Sequence, residues 1–592
     1  MGKLIAIDRS TMELEGLRKL VADCVEKHCY RSAIFFGDKV CLLSGEEDRD
    51  VYQLCQAYFY SGQHGRALNR LTRHRESRDG EGRGADWEGH KSFRYLAARC
   101  LAESQEWERC LQTLDEGEDG GEGSSDGAAA SRRDVAVSLF SKRMDTSEEE
   151  GEPGLRRSQR RRGQRPKGDG GSNGVAPGHN KSELEIESAM NVLRARCYES
   201  MDNRERAKQH YVRALEASDP FCYEAFEALI GNHMLTAREE RDLFDNLDLG
   251  RDAQHGWWLK ALYECKGKKY GKVEEVQGKL GALEGEEFGL SSSLDVLTCK
   301  AEFLYHCCEY RRCYEVTQRV LQEDPHHLDV LPCHLACAVE LGRKNDLFLL
   351  GHQLVEEHPA RAVSWFAVGC YYLCISQHDS AERYFQKATG LEKDFAPAWM
   401  GYGHAFAYQD ESDQAMAAYR TAARLFIGLH LPLLCLGIEY MRTNSLPLAE
   451  EFFTKARAIS PEDPFVLNEL GVLAFQRKQY SLAVKQFKKA LSLIPDPYSN
   501  TTWEPTVNNL AHALRKTSRF QDAIEMYTRA LALTPKQANT YSAMAFTYQL
   551  MGQPHRAIEL YHKSLGIEDD AFTSDMLFLC LKEVSNPSML ML

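Results

Sequence analysis

The side chains that could do chemistry in this sequence are 19 cysteines and 20 histidines, the usual material of zinc sites, thiol nucleophiles and acid–base pairs. Cys307, Cys308 and Cys313 crowd together, and His326 and His327 follow Pro325. Neither group has the spacing that metal binding asks for. A structural zinc site draws its four ligands from paired short elements such as C-x-x-C, and no such pairs stand here with histidines beside them. A RING-type module is excluded on the same ground, the two histidines read as surface residues of a turn, and no metal is expected. Also missing are G-x-x-x-x-G-K-[ST], a strand-borne G-x-G-x-x-G, G-x-S-x-G and H-E-x-x-H. The expectation is a chain without catalysis and without a cofactor. Binding remains, and the residues for it lie on a repeated helical element.

Gly369, Gly403, Gly437 and Gly471 stand 34 residues apart, and Ala381, Ala415, Ala449 and Ala483 each follow their Gly by 12. Pro325, Pro359, Pro461 and Pro495 keep the same grid, with Lys393 and Ile427 at the two positions lacking proline. A period of about 34 is that of the tetratricopeptide helix–turn–helix unit. The predicted fold class is therefore all-α, a tetratricopeptide-repeat superhelical solenoid. Gly inside a helix costs up to about 1 kcal/mol relative to Ala, so its recurrence implies that two helices approach closely there. The Ala is the facing contact on the second helix. Tyr372, Phe406, Tyr440, Phe385, Tyr419, Phe453 and Phe487 fill the space around these small residues, and proline ends the second helix.

Eight consecutive units begin near Leu294, Leu328, Ala362, Ala396, His430, Pro464, Glu504 and Ala538, covering 294–571. The sixth and seventh are separated by six extra residues, assigned to a longer loop at Pro495–Thr501. The first two units are degenerate, with Cys313 and Leu347 in the Ala slot. Fainter repeats fill 1–115: Ala33 and Ala67 are 34 apart, Leu54, Tyr58 and Gly62 fit one unit, and Phe93–Leu114 carries Ala98 and Cys110. Residues 181–293 read as irregular repeat-like helices. Ala195, Tyr198, Ala207, Tyr211 and Ala214 mark one unit, and the grid is unplaced from Phe221 to Ser293. Residues 572–592 read as a C-terminal tail.

Between Glu116 and Asn180 the chain is Gly-, Ser-, Asp-, Glu- and Arg-rich with almost no aromatics, so 116–180 is predicted to be a disordered low-complexity insert. Its basic run Arg156–Lys167 is either a solvated charge run or a nuclear-import signal. The polar stretch His74–Gly89 reads as a surface loop. A net charge of −14 argues against general nucleic-acid binding, which needs a basic surface. No apolar run approaches the roughly 18 residues of a membrane span, and Met1–Ser10 lacks a signal-peptide core. Cysteines in such a chain are most simply reduced thiols of an intracellular protein, packing where Ala would.

In such solenoids the first helix of each unit lines the concave side. Its inward offsets give Phe366, Cys370 and Leu373, then Met400, His404 and Tyr408, then Leu434, Ile438 and Met441. Phe465, Asn468, Val472 and Phe475 follow, and the seventh unit offers Asn508, His512, Arg515 and Lys516. Chaperone-binding members of the class place a Lys/Asn/Arg carboxylate clamp at these offsets. Phe366, Met400 and Leu434 occupy those slots here, so that clamp is not built. The groove is apolar, with a few amides and a basic end. Two readings follow. Either Ala362–Lys516 encloses a partner segment, with Asn468 and Asn508 bonding its backbone, or tight winding buries these residues among themselves.

VSWFAVGCYYL at Val363–Leu373, PAWMGYGHAFA at Pro397–Ala407, DQAMAAY at Asp413–Tyr419 and PEDPFVLNELGVLAFQ at Pro461–Gln476 resemble the tetratricopeptide cell-division-cycle family that supplies the sixth subunit of the anaphase-promoting complex. YLAARC at Tyr95–Cys100 and NHMLTAREE at Asn232–Glu240 extend the resemblance to most of the chain outside the insert. It implies a non-catalytic scaffold subunit of a cell-cycle ubiquitin ligase, with other subunits of that complex as partners. It further implies a homodimer through Met12–Leu114 and a small subunit's N-terminal segment held within Ala362–Leu565. A nuclear and cytoplasmic location, with spindle association in mitosis, is implied in the same way. The sequence departs from the family in its Gly- and Arg-rich insert and in ending at Leu592, where members usually carry a polar tail with phosphorylation sites. A stand-alone adaptor or co-chaperone is the alternative, against which the missing clamp counts. A repeat-armed enzyme would need a catalytic domain, and no stretch of sufficient length is left for one.

Overall fold

The structure, a computed structural model, describes residues 2–80, 91–115, 186–215, 221–247, 256–267, 273–285, 288–494 and 496–585, with side chains outside 2–13, 76–80 and 256–257. Among the described residues there are helices and turns and no strand. They form two compact units, Met1–Asp202 and Asn203–Leu592.

First helices begin at Leu294, Leu331 (after a 3-10 turn, Leu328–Val330), Ala362, Ala396, Leu431, Pro464, Glu504 and Ala538, on the predicted register of all eight repeats. The packing that enforces the 34-residue period is visible at each Gly. A Cβ added to Gly369, Gly403, Gly437 or Gly471 would stand 2.5, 2.2, 2.3 or 2.6 Å from a ring atom of Phe385, Tyr419, Phe453 or Phe487 respectively. Each ring sits 16 positions after its Gly, on the second helix of the same unit, and is fully buried. Close-packed interiors leave no slack for the extra carbon. Ala381, Ala415, Ala449 and Ala483 are likewise buried to 0 % exposure.

A second marker of the register is conformational. The residue between the two helices adopts a left-handed backbone in every unit: Cys308, Gly342, Ser376, Asp410, Asn444, Lys478, Ser518 and Gly552. The next residue then donates its N–H back to the first helix, as Gln377 does to Tyr372 (2.9 Å) and Ser445 to Tyr440 (2.8 Å). This satisfies carbonyls that the helix end leaves unpaired. Residue type varies freely here, so the sequence carried no sign of it.

The degenerate units solve the same packing problem differently. In the second, Leu335 takes the Gly position and Gly351 the ring position, so large and small have changed helices. In the first, Ala301 and Thr317 hold the two positions, and the ring of His334 from the next unit packs beside Thr317. His334 Nδ1 lies 2.8 Å from Thr317 Oγ1, and its ring stacks on Tyr314 at 4.5 Å. Near the N-terminus buried Gly37 faces Leu54, whose Cδ1 would lie 3.3 Å from an added Cβ.

Three expectations are corrected. The stretch from His74 does not start a loop: the helix His64–Gly80 continues through it, because buried His74 bonds Asp48 (2.8 Å) and stacks on Phe93. The tail expected from 572 is helical over Ala571–Ser585, burying Leu577 and Cys580 against Tyr561 to cover the last repeat. Residues 203–293 group with the repeats that follow and do not stand apart. They include the pairs Tyr223–Gly231 with Ala237–Asn246 and Gly256–Lys266 with Val273–Glu284; Thr236 and Glu239 form a capping box on the second helix of the first pair. The insert at 116–180 lies outside the described residues.

Within Asn203–Leu592 the superhelix touches itself after one turn. Arg204 donates to the Leu425 carbonyl (2.6 Å) and pairs with Asp394. Gly428 N donates to the His233 carbonyl at 2.7 Å, and a Cβ at Gly428 would lie 2.1 Å from the Leu235 carbonyl oxygen. Asn500 Nδ2 donates to the Cys308 carbonyl at 2.7 Å across 192 residues. The lengthened loop after the sixth unit is therefore a tie between successive turns, and residues 203–293 are one side of the seam.

Candidate functional site

The first helices of the repeats are the enclosed layer, and their side chains divide into two classes. Phe366, Cys370 and Leu434, predicted to line a groove, are buried in the core between helices. Phe366 packs between Phe385 and Phe395, with ring centroids 5.7 and 5.4 Å away. Leu434 joins Phe453 and Val466. For these three the close winding of the repeats is the correct reading. Met400, His404, Ile438, Asn468, Val472, Phe475, Asn508 and His512 keep partial exposure, as do Leu373, Met441 and Arg515. They share one face of successive first helices and make a continuous inner surface.

That surface is polar at chosen points. Asn468 Nδ2 donates to Glu469 Oε1 (2.9 Å) and Asn508 Nδ2 to Thr540 Oγ1 (3.3 Å). In both, the amide nitrogen is engaged while the carbonyl oxygen is buried without a partner. An unpaired buried acceptor costs about 1–3 kcal/mol, so each is a ready seat for an incoming N–H. Arg515 Nε is also unpartnered, while its guanidinium lies 5.0 Å from the Phe546 ring.

The histidines are structural as much as exposed. His404 Nδ1 lies 2.8 Å from Tyr419 Oη and His512 Nδ1 2.9 Å from Tyr527 Oη. Burial pushes the His404 pKa down to about 4, and burial with Arg515 and Lys516 does the same for His512. Both are neutral near pH 7, so the basic end of the groove is Arg515 and Lys516 alone. Two residues escaped the sequence reading. Cys435 and Glu469 follow Leu434 and Asn468 by one position and remain partly exposed, yet burial pushes the Cys435 thiol up to about 12 and raises the Glu469 carboxyl. Reading the position after each offset would have found them.

Comparisons with known proteins agree with this architecture. A family profile described as "Anaphase-promoting complex, cyclosome, subunit 3" matches residues 26–117. Tetratricopeptide-repeat profiles match 188–220, 466–497 and 498–569. The "Anaphase-promoting complex subunit 6" of Arabidopsis thaliana is 43% identical over 96% of this chain and 97% of its own length. The "Cell division cycle protein 16 homolog" of Mus musculus is 39% identical over 96% and 84%. Among solved structures, the "Crystal structure of APC/C hetero-tetramer Cut9-Hcn1" superimposes with a TM-score of 0.71 at 32% identity, covering 96% of both chains.

Proposed function

Since the chain belongs to the family of anaphase-promoting complex subunit 6, we propose that it works as a non-catalytic scaffold of that ubiquitin ligase, holding a segment of a small partner subunit on its inner face. The observation that carries the proposal is the pair of unpartnered carbonyl oxygens on Asn468 and Asn508, set among Val472, Phe475 and Ile438 on one enclosed surface. An extended chain offers N–H groups to such acceptors and apolar side chains to the surface between. The solved relative is a hetero-tetramer of two named chains, which suits both a captive small subunit and more than one scaffold copy.

The second part of the proposal is homodimerisation through the N-terminal helices. Phe35, Leu42, Leu43 and Tyr60 are 58, 70, 68 and 48 % exposed on neighbouring elements, an apolar patch of the kind that marks a protein interface. Nuclear and cytoplasmic location is proposed on the same family ground, with Arg156–Lys167, outside the described residues, as the segment to delete in a localisation assay.

The test is co-purification of the complex's small subunits with the full chain. Phe475→Glu and Asn468→Ala with Asn508→Ala are expected to release a small subunit while helical content is unchanged. Leu434 is unsuitable for this purpose because it is core. Retention of every small subunit by folded Phe475→Glu would overturn the inner-face reading. Leu42→Glu with Leu43→Glu should halve the mass in solution; an unchanged mass removes the dimer assignment.

A further inference from the structure

We propose that Cys313, Cys333 and Cys337 form a zinc-binding site that staples the two degenerate repeats together. The sequence offered Cys307, Cys308 and Cys313 as its crowded thiols, without ligand spacing. Folding makes a different trio. Cys333 and Cys337 stand one turn apart on the helix Leu331–Glu340, on one face. Cys313 comes from the preceding helix, Tyr310–Glu323. The three sulfurs all lie within 4.8 Å of one another, and Cys313 Sγ is 3.4 Å from Cys333 Sγ. Thiolates around tetrahedral zinc, at about 2.3 Å from the metal, stand roughly 3.8 Å apart. The trio spans the distance that such an ion needs.

Burial matches the design of a site with one open position. Cys313 and Cys337 are fully buried, while Cys333 is partly exposed. Three protein ligands, one fewer than a closed structural site supplies, would hold the ion and solvent would supply the fourth. Charge favours a dication. Glu302 and Glu340 lie near enough to act on these thiols. Three thiolates around a monovalent ion would leave two net negative charges beside those carboxylates, against one around zinc. Binding takes three thiols and one Zn²⁺ to a trithiolate complex and releases three protons to solvent.

A simpler role for a buried cysteine is the Ala slot, and the chain contains that case. Cys110 occupies the Ala slot of its own unit and donates its S–H to the Ala98 carbonyl at 3.2 Å, as Cys313 does to Ala301 at 3.0 Å. Cys110 has a single thiol neighbour, Cys197, where Cys313 has two that are themselves one helical turn apart. The position also gives the staple a purpose. These two units lack the Gly-and-ring lock, and the trio joins the second helix of one to the first helix of the next.

The experiment is zinc analysis of the purified full chain after dialysis against a mild chelator, followed by titration of Zn²⁺ into metal-free protein in weak buffer. The expected result is about one zinc per chain, with about three protons released per zinc bound. Cys313→Ala should fall to under about a tenth of that zinc while keeping helical content, since Ala is the ordinary occupant of its slot; Cys333→Ser should do the same. Cys110→Ala should retain all of it. Wild-type protein that binds no more zinc than Cys313→Ala overturns the proposal. So does zinc that survives Cys333→Ser but is lost on His326→Ala, which would assign it to the surface group His326, Glu357 and His358. A Cys313–Cys333 disulfide in protein purified without oxidant would overturn it as well.

Discussion

The repeats from Ala362 to Ser492 and the two before them, from Leu294 to Glu357, keep one backbone register with different side chains. In the later units a first-helix Gly meets a second-helix ring: Gly369 with Phe385, Gly403 with Tyr419, Gly437 with Phe453, Gly471 with Phe487. In the earlier ones Leu335 and Gly351 hold these two register positions in one unit and Ala301 and Thr317 in the other, with His334 bonded to Thr317. The seventh and eighth units take a middle course, Ala511 with Tyr527 and Ala545 with Tyr561, all buried. The left-handed turn is present in every unit, Cys308 and Gly342 included. What the period keeps is the two register positions, and either helix can supply the bulk. That agrees with the tolerance of cores for volume-conserving exchange.

The comparison can be broken most forcefully at Gly369. Gly369→Leu is expected to destabilise the chain by about 3 kcal/mol or more through overpacking against Phe385, and Phe385→Gly by about 3–5 kcal/mol through a cavity. Together they rebuild the Leu335–Gly351 arrangement and should recover about 2–3 kcal/mol of the summed loss. Additive losses in urea denaturation would end the volume-exchange account. Next in size is the seam. Gly428→Val should cost about 2 kcal/mol because its side chain would enter the Leu235 carbonyl. Gly390→Ala, on a helix with open space around it, should be neutral or stabilising by up to about 1 kcal/mol. Equal effects would show that turn-to-turn contact contributes nothing.

A pH series sharpens the difference between the histidines. Burial is the first cause holding His334, His404 and His512 near a pKa of about 4. The unfolded state therefore takes up protons first, and the stabilisation present above about pH 6.5 is lost as pH falls towards about 4. Each group contributes a slope of roughly 1.4 kcal/mol per pH unit in that window. Because His334 fills the degenerate pair, His334→Ala should cost more at pH 7 than His404→Ala, and each should remove about one third of the slope. A flat profile would refute the burial. Smallest of all, Asn500→Ala should cost about 1 kcal/mol for the bond to Cys308 and the cap on Thr502 N–H together, the first seen as faster amide exchange in the first repeat. Unchanged exchange there would mean the degenerate units are not braced by that loop.

Much of this was legible in the residues alone. The starts of all eight first helices were placed, because Gly, Ala and Pro each report one geometric demand and recur together. The inner face was legible at Met400, Ile438, Asn468, Val472, Phe475 and Asn508, since helical offsets fix direction. Phe366, Cys370 and Leu434 share those offsets and are nonetheless core. Offset gives direction only, and whether a neighbouring repeat closes over the side chain depends on that neighbour's own bulk, such as Phe395 over Phe366. The helix Ala571–Ser585 was missed because it has no repeat signature, only an apolar face that the last unit requires.

The sequence by itself determined the all-α repeat, its period and the family resemblance, since these are carried by near neighbours on one helix pair. Only the tertiary structure decided which turns of the superhelix meet. Arg204 with Asp394, His233 with Gly428 and Cys308 with Asn500 are contacts set by curvature, which accumulates from small rotations at every repeat interface. Cys313, Cys333 and Cys337, whose spacing along the chain announces nothing, meet by a shorter route, the direct packing of the consecutive helices Tyr310–Glu323 and Leu331–Glu340.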